Sequence, residues 1–185
     1  MVRAMERIDW VFGYGSLIWN PGFDPVETVH ARLAGYARSF CLRSIQHRGT
    51  EALPGLVLGL DPQEGALCQG VALRIAPRDH DRVLADLRDR ELVTDAYREA
   101  ILPLALEDGR RVSALAYVMR RDHWQYAGDL PHDEQARIIA AAHGGRGPNA
   151  EYLFNTAAHL AQIGMADDHL EALSQAVRAL QSRQG

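Results

Sequence analysis

The stretch WVFGYGS, residues 10–16, is a short β-type run that ends abruptly in a turn containing two glycines. Gly13 and Gly15 permit a positive φ and leave room for a ligand beside the main chain. Successive backbone N–H groups in such a turn can form a nest that binds a carboxylate or an oxyanion. A plain strand-end turn, in which the glycines serve only geometry, fits the same residues, so the motif by itself leaves both interpretations open.

Further β-type segments follow this run along the first two-thirds of the chain, separated by Gly, Pro and Asp. They cover residues 26–32, 35–43, 55–60, 66–75, 97–106 and 111–119. One helix interrupts the series, from about residue 78 to residue 92, and its apolar residues recur at helical spacing. This order predicts a mainly β first part with a single inserted helix.

The last third of the chain is predicted to be helical. Asp133 is expected to cap a helix that stops at the glycine pair 144–145. Asn149 is expected to cap a second helix that stops at Gly164, and Asp167 to cap the final one. Strands first and helices after indicate an α+β fold, a small sheet or barrel with helices packed on its outside.

Composition and charge narrow the class of protein. Of the 185 residues, 47% are hydrophobic and 24% are charged, so we expect one globular domain over residues 1–185. A net charge of −4 offers no basic surface for nucleic acid or for an anionic membrane. The N-terminal residues lack the apolar core of a signal peptide, and no stretch approaches the ~20 apolar residues of a membrane span. We therefore expect a cytoplasmic protein with no nucleic-acid, membrane or obligate protein partner.

Cysteine and histidine spacing give no support to a metal site. Cys41 and Cys68 do not form a CxxC pair and are interpreted as two small buried thiols, with one disulfide left open. The eight histidines include no HxH, HxxxH or HExxH arrangement. The GYGS turn matches neither of the glycine-rich nucleotide loops, GxGxxG and GxxxxGK[ST]. The sequence therefore predicts neither a metal nor a cofactor.

A carboxylate is predicted on the buried face of the inserted helix. Leu84, Leu87 and Glu91 fall at i, i+3 and i+7, so they share one face. Burial of a carboxyl raises its pKa, which is useful to a group that must take and return a proton near neutral pH. The alternative is that the helix end frays and that Glu91 faces solvent with the charged residues before it.

Three further polar elements are candidates for ligand contact. Tyr117 lies in an otherwise apolar strand, where its hydroxyl needs a partner in the core or in a ligand. The loop His47-Arg48-Gly49 either supports a ligand's carboxylate or pairs with backbone carbonyls. Ser16 lacks the GxSxG nucleophile elbow, so we expect a structural or ligand-contacting hydroxyl.

Six short motifs occur in a fixed order along the chain. They are VFGYGSLIW (residues 11–19), HRG (47–49), PG (54–55), RE (90–91), ALAYV (114–118) and NAEYLF (149–154). With these motifs the chain resembles the ChaC-type, glutathione-specific γ-glutamylcyclotransferases. The resemblance extends from Trp10 to about Leu180, and its most specific part is YGSLIW.

This resemblance implies a compact cyclotransferase fold with a mixed, barrel-like sheet, and an enzyme that cleaves glutathione into 5-oxoproline and cysteinylglycine. It implies that Glu91 is the catalytic general acid/base and that Tyr117 lines the same pocket. The loop implied to hold the γ-glutamyl group comprises Val11, Phe12, Gly13, Tyr14, Gly15 and Ser16. Cys41 stands where animal members have an aromatic residue, so contacts to the Cys-Gly half of the substrate are expected to differ.

Two alternatives to this activity remain open at the level of sequence. One is a cyclotransferase acting on other γ-glutamyl amino acids or on γ-glutamylamines. The other is a non-catalytic, regulatory module that binds γ-glutamyl groups. Such a module has no need for an acid on the buried face of a helix, so the position of Glu91 counts against it.

Overall fold

A computed structural model describes residues 7–185 of the chain. The strands are β1 (Trp10–Gly13), β2 (Glu27–Ser44), β3 (Gly55–Arg74), β4 (Tyr97–Leu106), β5 (Arg111–Met119), β6 (His143–Gly144) and β7 (Gly147–Pro148). The helices are α1 (His80–Glu91), α2 (His132–Ala141), α3 (Asn149–Gln162) and α4 (Asp168–Ser182), with short 3₁₀ turns at Ser16–Ile18 and Pro77–Asp79.

Strands β1 to β5 close into a barrel in the order β1-β3-β2-β4-β5. β1 runs antiparallel to β3 and parallel to β5, so the barrel is mixed. Because β1 has a partner strand on each side, the main chain that leads into the glycine turn is held firmly in place. Together with the helices, this architecture confirms the predicted α+β fold with a mixed barrel.

Two pairs of predicted segments are in fact single long strands. The segments 26–32 and 35–43 belong to β2, and the segments 55–60 and 66–75 belong to β3, which ends one residue earlier than expected. Gly35 and Gly65 adopt φ values of 85° and 78° inside these strands. Glycine has no Cβ and so adopts such values without steric cost. The expected breaks are therefore local bends within continuous strands.

Two of the three predicted helix caps were wrong. Pro131 precedes α2 as its cap and Asp133 lies in the first turn, while the helix ends at Ala141, before the glycine pair. Asn149 is the first residue of α3 and is fully buried. Its side chain accepts from the Leu56 N–H and donates to the Leu56 carbonyl, both at 2.8 Å. The amide thus satisfies buried groups of β3, which a helix cap could not do at the same time.

The remaining helix predictions agree with the structure. Asp167 caps α4, its side chain accepting a hydrogen bond from the Leu170 N–H at 3.1 Å. α3 ends at Gln162, and Gly164 follows with a φ of 75°, as expected of a glycine just beyond a helix end. α1 begins at His80 after the 3₁₀ turn and ends at Glu91, within the predicted range.

The chain divides into two compact units, each with its own contacts. The first unit comprises residues up to Ala37 together with Pro62–Val118, and the second comprises Arg38–Asp61 with Met119–Gly185. β2 and β3 each contribute residues to both units. The first unit contains a cluster of buried side chains from β1, the first 3₁₀ turn, the residue after β3, α1 and β5. Its members are Val11, Leu17, Ile75, Val83, Leu87 and Tyr117. The single domain expected over residues 1–185 stays a prediction.

The two cysteines are free thiols and both are buried, which confirms their interpretation and removes the disulfide alternative. Burial raises the pKa of Cys41 to about 12, and the negative charge of Asp61 acts in the same direction. A thiol with so high a pKa is not a nucleophile at neutral pH. Cys41 and Cys68 are therefore part of the core packing.

Candidate active site

The glycine turn begins at the end of β1 and passes directly into the 3₁₀ turn Ser16–Ile18. The side chains of Val11, Phe12 and Tyr14 are all buried. Because these side chains are packed in the interior, this segment can offer a ligand mainly its main-chain N–H and carbonyl groups. The hydroxyl of Tyr14 donates to the carbonyl of Tyr117 at 3.3 Å, which fastens the turn to β5.

Gly13 serves close packing and not a left-handed backbone. Neither Gly13 nor Gly15 adopts the positive φ that glycine permits, and Gly15 has a φ of −146°. A Cβ on Gly13 would lie 3.2 Å from a methyl group of Val71. On the neighbouring strand, a Cβ on Gly70 would lie 2.3 Å from the Gly13 carbonyl oxygen. The backbones of β1 and β3 therefore meet here with no room for side chains.

Glu91 is the last residue of α1 and lies on the helix face that the spacing predicts. Leu87, one turn earlier, is buried, and the Glu91 side chain is 15% exposed. Burial raises the pKa of this carboxyl, and the nearby Arg90 guanidinium opposes the rise in part. The structure thus provides a carboxyl that is sheltered from solvent and that accepts a proton more readily than an exposed glutamate does.

Arg90 connects the end of α1 to the glycine turn. Its guanidinium donates to the Asn20 carbonyl at 2.7 Å and to the Ser16 hydroxyl at 2.9 Å. The same group lies 3.4 Å from a Glu91 carboxylate oxygen. Ser16 is therefore held by an arginine and has no general base assigned to it, in agreement with its expected role as a structural or ligand-contacting hydroxyl.

Tyr117 is 1% exposed and donates its hydroxyl proton to Glu99 Oε2 at 3.2 Å. Burial raises the pKa of Tyr117, and the negative charges of Glu99 and Glu91 add to the effect. The tyrosine is therefore a neutral hydroxyl at any physiological pH. Its electrostatic coupling to Glu91 places the two predicted site residues in one neighbourhood.

Glu99 on β4 contacts the candidate site residue Tyr117, and the sequence analysis did not predict this contact. Arg88 holds Glu99 with a two-pronged contact, from Nε to Oε2 at 3.0 Å and from Nη2 to Oε1 at 2.9 Å. These bonds to Arg88 lower the pKa of Glu99. A signal was available, since Tyr97 and Glu99 are two apart on a strand and must share a face. Tyr97 packs against the buried cluster, so that face of β4 points toward it.

The loop His47-Arg48-Gly49 belongs to the second unit, and its contacts are structural. Arg48 donates to the Pro148 carbonyl at 3.1 Å, and the His47 carbonyl accepts from the Arg146 N–H at 2.9 Å. A Cβ on Gly49 would lie 2.1 Å from the Gly55 nitrogen. These contacts favour the interpretation as a loop that pairs with backbone groups.

Some features of the described chain lie outside this site. A cavity of about 370 Å³ opens beside Trp10, Arg74 and Arg111, and none of the predicted site residues lines it. Within residues 7–185 no three His, Cys, Asp or Glu side chains lie close enough to share a metal ion. The absence of metal and cofactor expected from the sequence stays a prediction. None of the helices in this part of the chain is long and apolar enough to cross a membrane.

Comparison with known proteins was made with the sequence and with the fold. The ChaC-like protein family matches residues 9–180. The glutathione-specific γ-glutamylcyclotransferase of Escherichia coli (strain K12) is 40% identical over 178 residues, which is 96% of this chain and 76% of that protein. The γ-glutamylcyclotransferase 2-3 of Arabidopsis thaliana is 36% identical over 181 residues, 94% of this chain and 90% of that protein.

Solved structures agree with the sequence relatives. A crystal structure of a γ-glutamyl cyclotransferase specific to glutathione from yeast superimposes with a TM-score of 0.81 at 28% identity. The match covers 92% of this chain and 96% of the yeast chain. A more distant structure, described as a γ-glutamyl cyclotransferase, has a TM-score of 0.53 at 16% identity and shares the fold alone. The predicted cyclotransferase-like fold is confirmed.

Proposed function

This chain belongs to the ChaC-like family, and from that premise we propose that it is a γ-glutamylcyclotransferase that converts glutathione into 5-oxoproline and cysteinylglycine. Two relatives are named for that substrate, the Escherichia coli protein and the yeast crystal structure. A small-molecule substrate with a γ-glutamyl group is the common element of these names. The proposal adds the residues that would perform the reaction.

The observation that carries the proposal is the sheltered carboxyl of Glu91 at the end of α1, tied through Arg90 to the glycine turn. A carboxyl with a raised pKa exchanges protons at neutral pH more readily than an ordinary surface glutamate. No comparable need exists in a protein that only binds γ-glutamyl groups. Glu91 is therefore proposed as the general acid/base, as the family resemblance implies.

The chemistry is an intramolecular amide exchange. The α-nitrogen of the γ-glutamyl group attacks its own γ-carbonyl carbon, a carbon–nitrogen bond forms in a five-membered ring, and the bond to the cysteine nitrogen breaks. The α-ammonium loses two protons on the way to the lactam, and the leaving nitrogen gains two as it becomes an ammonium. Glu91 relays these protons, and neither water nor a cofactor is consumed.

The protein must also hold the substrate folded back on itself. Keeping the tethered groups in attack geometry lowers the barrier by up to roughly 7–11 kcal/mol in the best intramolecular cases. Main-chain N–H groups of Tyr14, Gly15 and Ser16 are proposed to bind the substrate carboxylate or the oxyanion. Removing one such donor typically costs about 10²–10³ in rate. Val11, Phe12 and Gly13 hold that segment in the barrel wall, and Tyr117 lines the same place.

We also propose that the protein acts in the cytoplasm. Two buried free thiols are expected of a protein from a reducing compartment. Nucleic acid, membranes and obligate protein partners have no role in the proposed reaction.

The direct test is to incubate purified protein with reduced glutathione and analyse the mixture by mass spectrometry. We expect 5-oxoproline and cysteinylglycine in equal amounts and no free glutamate. Free glutamate would instead mean hydrolysis by water, and saturable binding without product would mean a binding module. Competing glutathione against γ-glutamyl amino acids and γ-glutamylamines in one mixture then ranks the substrates.

A further inference from the structure

The ion pair of Arg88 and Glu99 contacts the Tyr117 hydroxyl and has no assigned part in the proposed reaction. Arg88 reaches both carboxylate oxygens of Glu99 at 3.0 and 2.9 Å, and Tyr117 donates to Oε2 at 3.2 Å. The Glu99 side chain is 22% exposed and the Arg88 side chain 49%, so the pair spans from solvent to the buried hydroxyl. Arg88 keeps Glu99 ionised by lowering its pKa.

An ionised carboxylate accepts hydrogen bonds and cannot donate one. A tyrosine hydroxyl has a single proton, and in this structure it is directed at Glu99. Toward its other neighbours Tyr117 can therefore present only an oxygen lone pair. One of those neighbours is Glu91, which follows Leu87 by one turn on the same face of α1, and Leu87 and Tyr117 belong to one buried cluster. The charge of Glu91 also opposes ionisation of the tyrosine and so raises its pKa.

Resting on the proposed function, we propose that Arg88 and Glu99 are positioning residues: Glu99, held by Arg88, accepts the Tyr117 proton and so keeps the tyrosine from donating to Glu91. With that proton withheld, Tyr117 offers an acceptor to the substrate's ammonium group. Glu91 in turn remains available to take the ammonium proton. The pair acts through the tyrosine and does not itself touch the reacting atoms.

The physical reason is that a hydrogen bond to a carboxylate stabilises its charged form. If Tyr117 were released, it would donate to Glu91 and make that carboxylate a weaker base. The Arg90 guanidinium, which lies 3.4 Å from the Glu91 carboxylate, would keep its position and its charge. The direction in which Tyr117 donates its proton therefore affects the pKa of Glu91.

The test measures the titration of Glu91 directly, by NMR of protein labelled at the glutamate carboxyl carbons, with Glu91→Gln assigning the resonance. Relative to the unsubstituted protein, Glu99→Gln and the stronger Glu99→Leu are expected to lower the pKa of Glu91, the latter by about one unit, a tenfold change in proton affinity. The acid limb of kcat/KM against pH should move in the same direction. The NMR readout needs no turnover, so it separates failure of this proposal from failure of the proposed reaction.

Removing a negative charge near Glu91 would also lower its pKa directly, and a second background separates the two causes. In Tyr117→Phe protein only this direct effect is left, so Glu99→Leu should shift the Glu91 titration by clearly less than it does when the tyrosine hydroxyl is present. Asp86→Asn, which removes an exposed carboxylate paired with Arg82 on the same helix, should shift it in neither background. An equal shift with and without the tyrosine hydroxyl, or no shift at all in either background, would overturn the proposal.

Discussion

Two carboxylates in this protein each accept hydrogen bonds from one arginine and one tyrosine, and the arginine and tyrosine differ between the two sites. In the first unit Glu99 is held by Arg88 and Tyr117, a set we call the Glu99 triad. In the second unit Asp61 accepts from Arg121 at 2.8 Å and from the Tyr126 hydroxyl at 2.9 Å, and these three form the Asp61 triad.

The triads differ in the group that lies beside each of them. Tyr117 feels the charge of Glu91, a carboxyl whose pKa is raised by burial. Asp61 acts on Cys41, a buried thiol whose pKa of about 12 keeps it protonated. An arginine, a carboxylate and a tyrosine therefore do not make a reactive site by themselves. The proposed chemistry depends on the sheltered carboxyl next to the Glu99 triad.

The largest expected difference in turnover between the two units is at one acid in each, Glu91 in the first unit and Asp61 in the second. Glu91→Gln keeps the shape of the side chain but removes the proton acceptor, so turnover should fall by about 10²–10⁴. Asp61→Asn, the matched change in the second unit, should leave turnover of folded protein within about twofold, since Asp61 is proposed to have no part in the chemistry. Both are measured as 5-oxoproline formation from glutathione. Full activity of Glu91→Gln would exclude it as the acid/base.

The two tyrosines sharpen the same contrast at a smaller scale. Tyr117→Phe removes a buried hydroxyl beside Glu91 and should lower kcat/KM by about tenfold, the value of one hydrogen bond of ~1.4 kcal/mol in the transition state. Tyr126→Phe removes the equivalent hydroxyl from the Asp61 triad and should not change kcat/KM. If both variants lost activity equally, the loss would be structural, and the proposed catalytic difference between the triads would be wrong.

Stability should show the opposite order. The Asp61 side chain is 13% exposed, and Asp61→Asn weakens two charge-assisted bonds, so the free energy of unfolding should fall by about 1–3 kcal/mol. Glu99→Gln should cost less than about 1 kcal/mol, because the Glu99 side chain is 22% exposed against 13% for Asp61, so solvent screens its ion pair more. Urea denaturation of each variant at neutral pH gives both numbers.

The loss of unfolding free energy in Glu99→Gln should depend on pH in a definite direction. The pKa of Glu99 is lower in the folded chain than its ordinary value, so its contribution to stability is complete above about pH 4.3 and is lost as the pH falls through the folded pKa. The difference between wild type and Glu99→Gln should therefore shrink in acid. A difference that grew toward low pH would contradict the contact with Arg88.

The smallest effect is expected at the thiol of the second unit. With a pKa of about 12, Cys41 should resist alkylation by iodoacetamide near neutral pH while the protein is folded. Mass spectrometry should show the unmodified chain after treatment, with turnover unchanged, and modification of both cysteines in denaturant. Rapid alkylation of Cys41 in folded protein would mean that it is a reactive group.

Much of the fold could be predicted because it depends on local pattern. The inserted helix and the face that carries Glu91 followed from apolar spacing, since a helix repeats every 3.6 residues whatever surrounds it. The merging of segments into β2 and β3 could not be predicted. Glycine and proline end many strands, and only the pairing of the neighbouring strands shows that the chain continues through Gly35 and Gly65.

The candidate site was predicted in part for the same reason. Motif residues along a single turn or helix were identified. Glu99 was missed because its partners, Arg88 and Tyr117, lie on other elements, 11 and 18 residues away in the chain. The prediction that Asn149 caps a helix was also wrong, because its hydrogen-bond partner Leu56 on β3 is 93 residues away in the chain. Contacts of this kind depend on which strand lies next to which.

The sequence by itself determined which segments are helical and which are β-type, the inward face of α1, and the position of an acid on that face, because these follow from the periodicity of helices and strands. Only the tertiary structure decided the electrostatic character of each carboxyl. Glu91 and Glu99 are the same residue type, yet burial raises the pKa of one and an arginine lowers the pKa of the other. Desolvation and charge depend on neighbours in space, and the fold brings those neighbours together from distant parts of the chain.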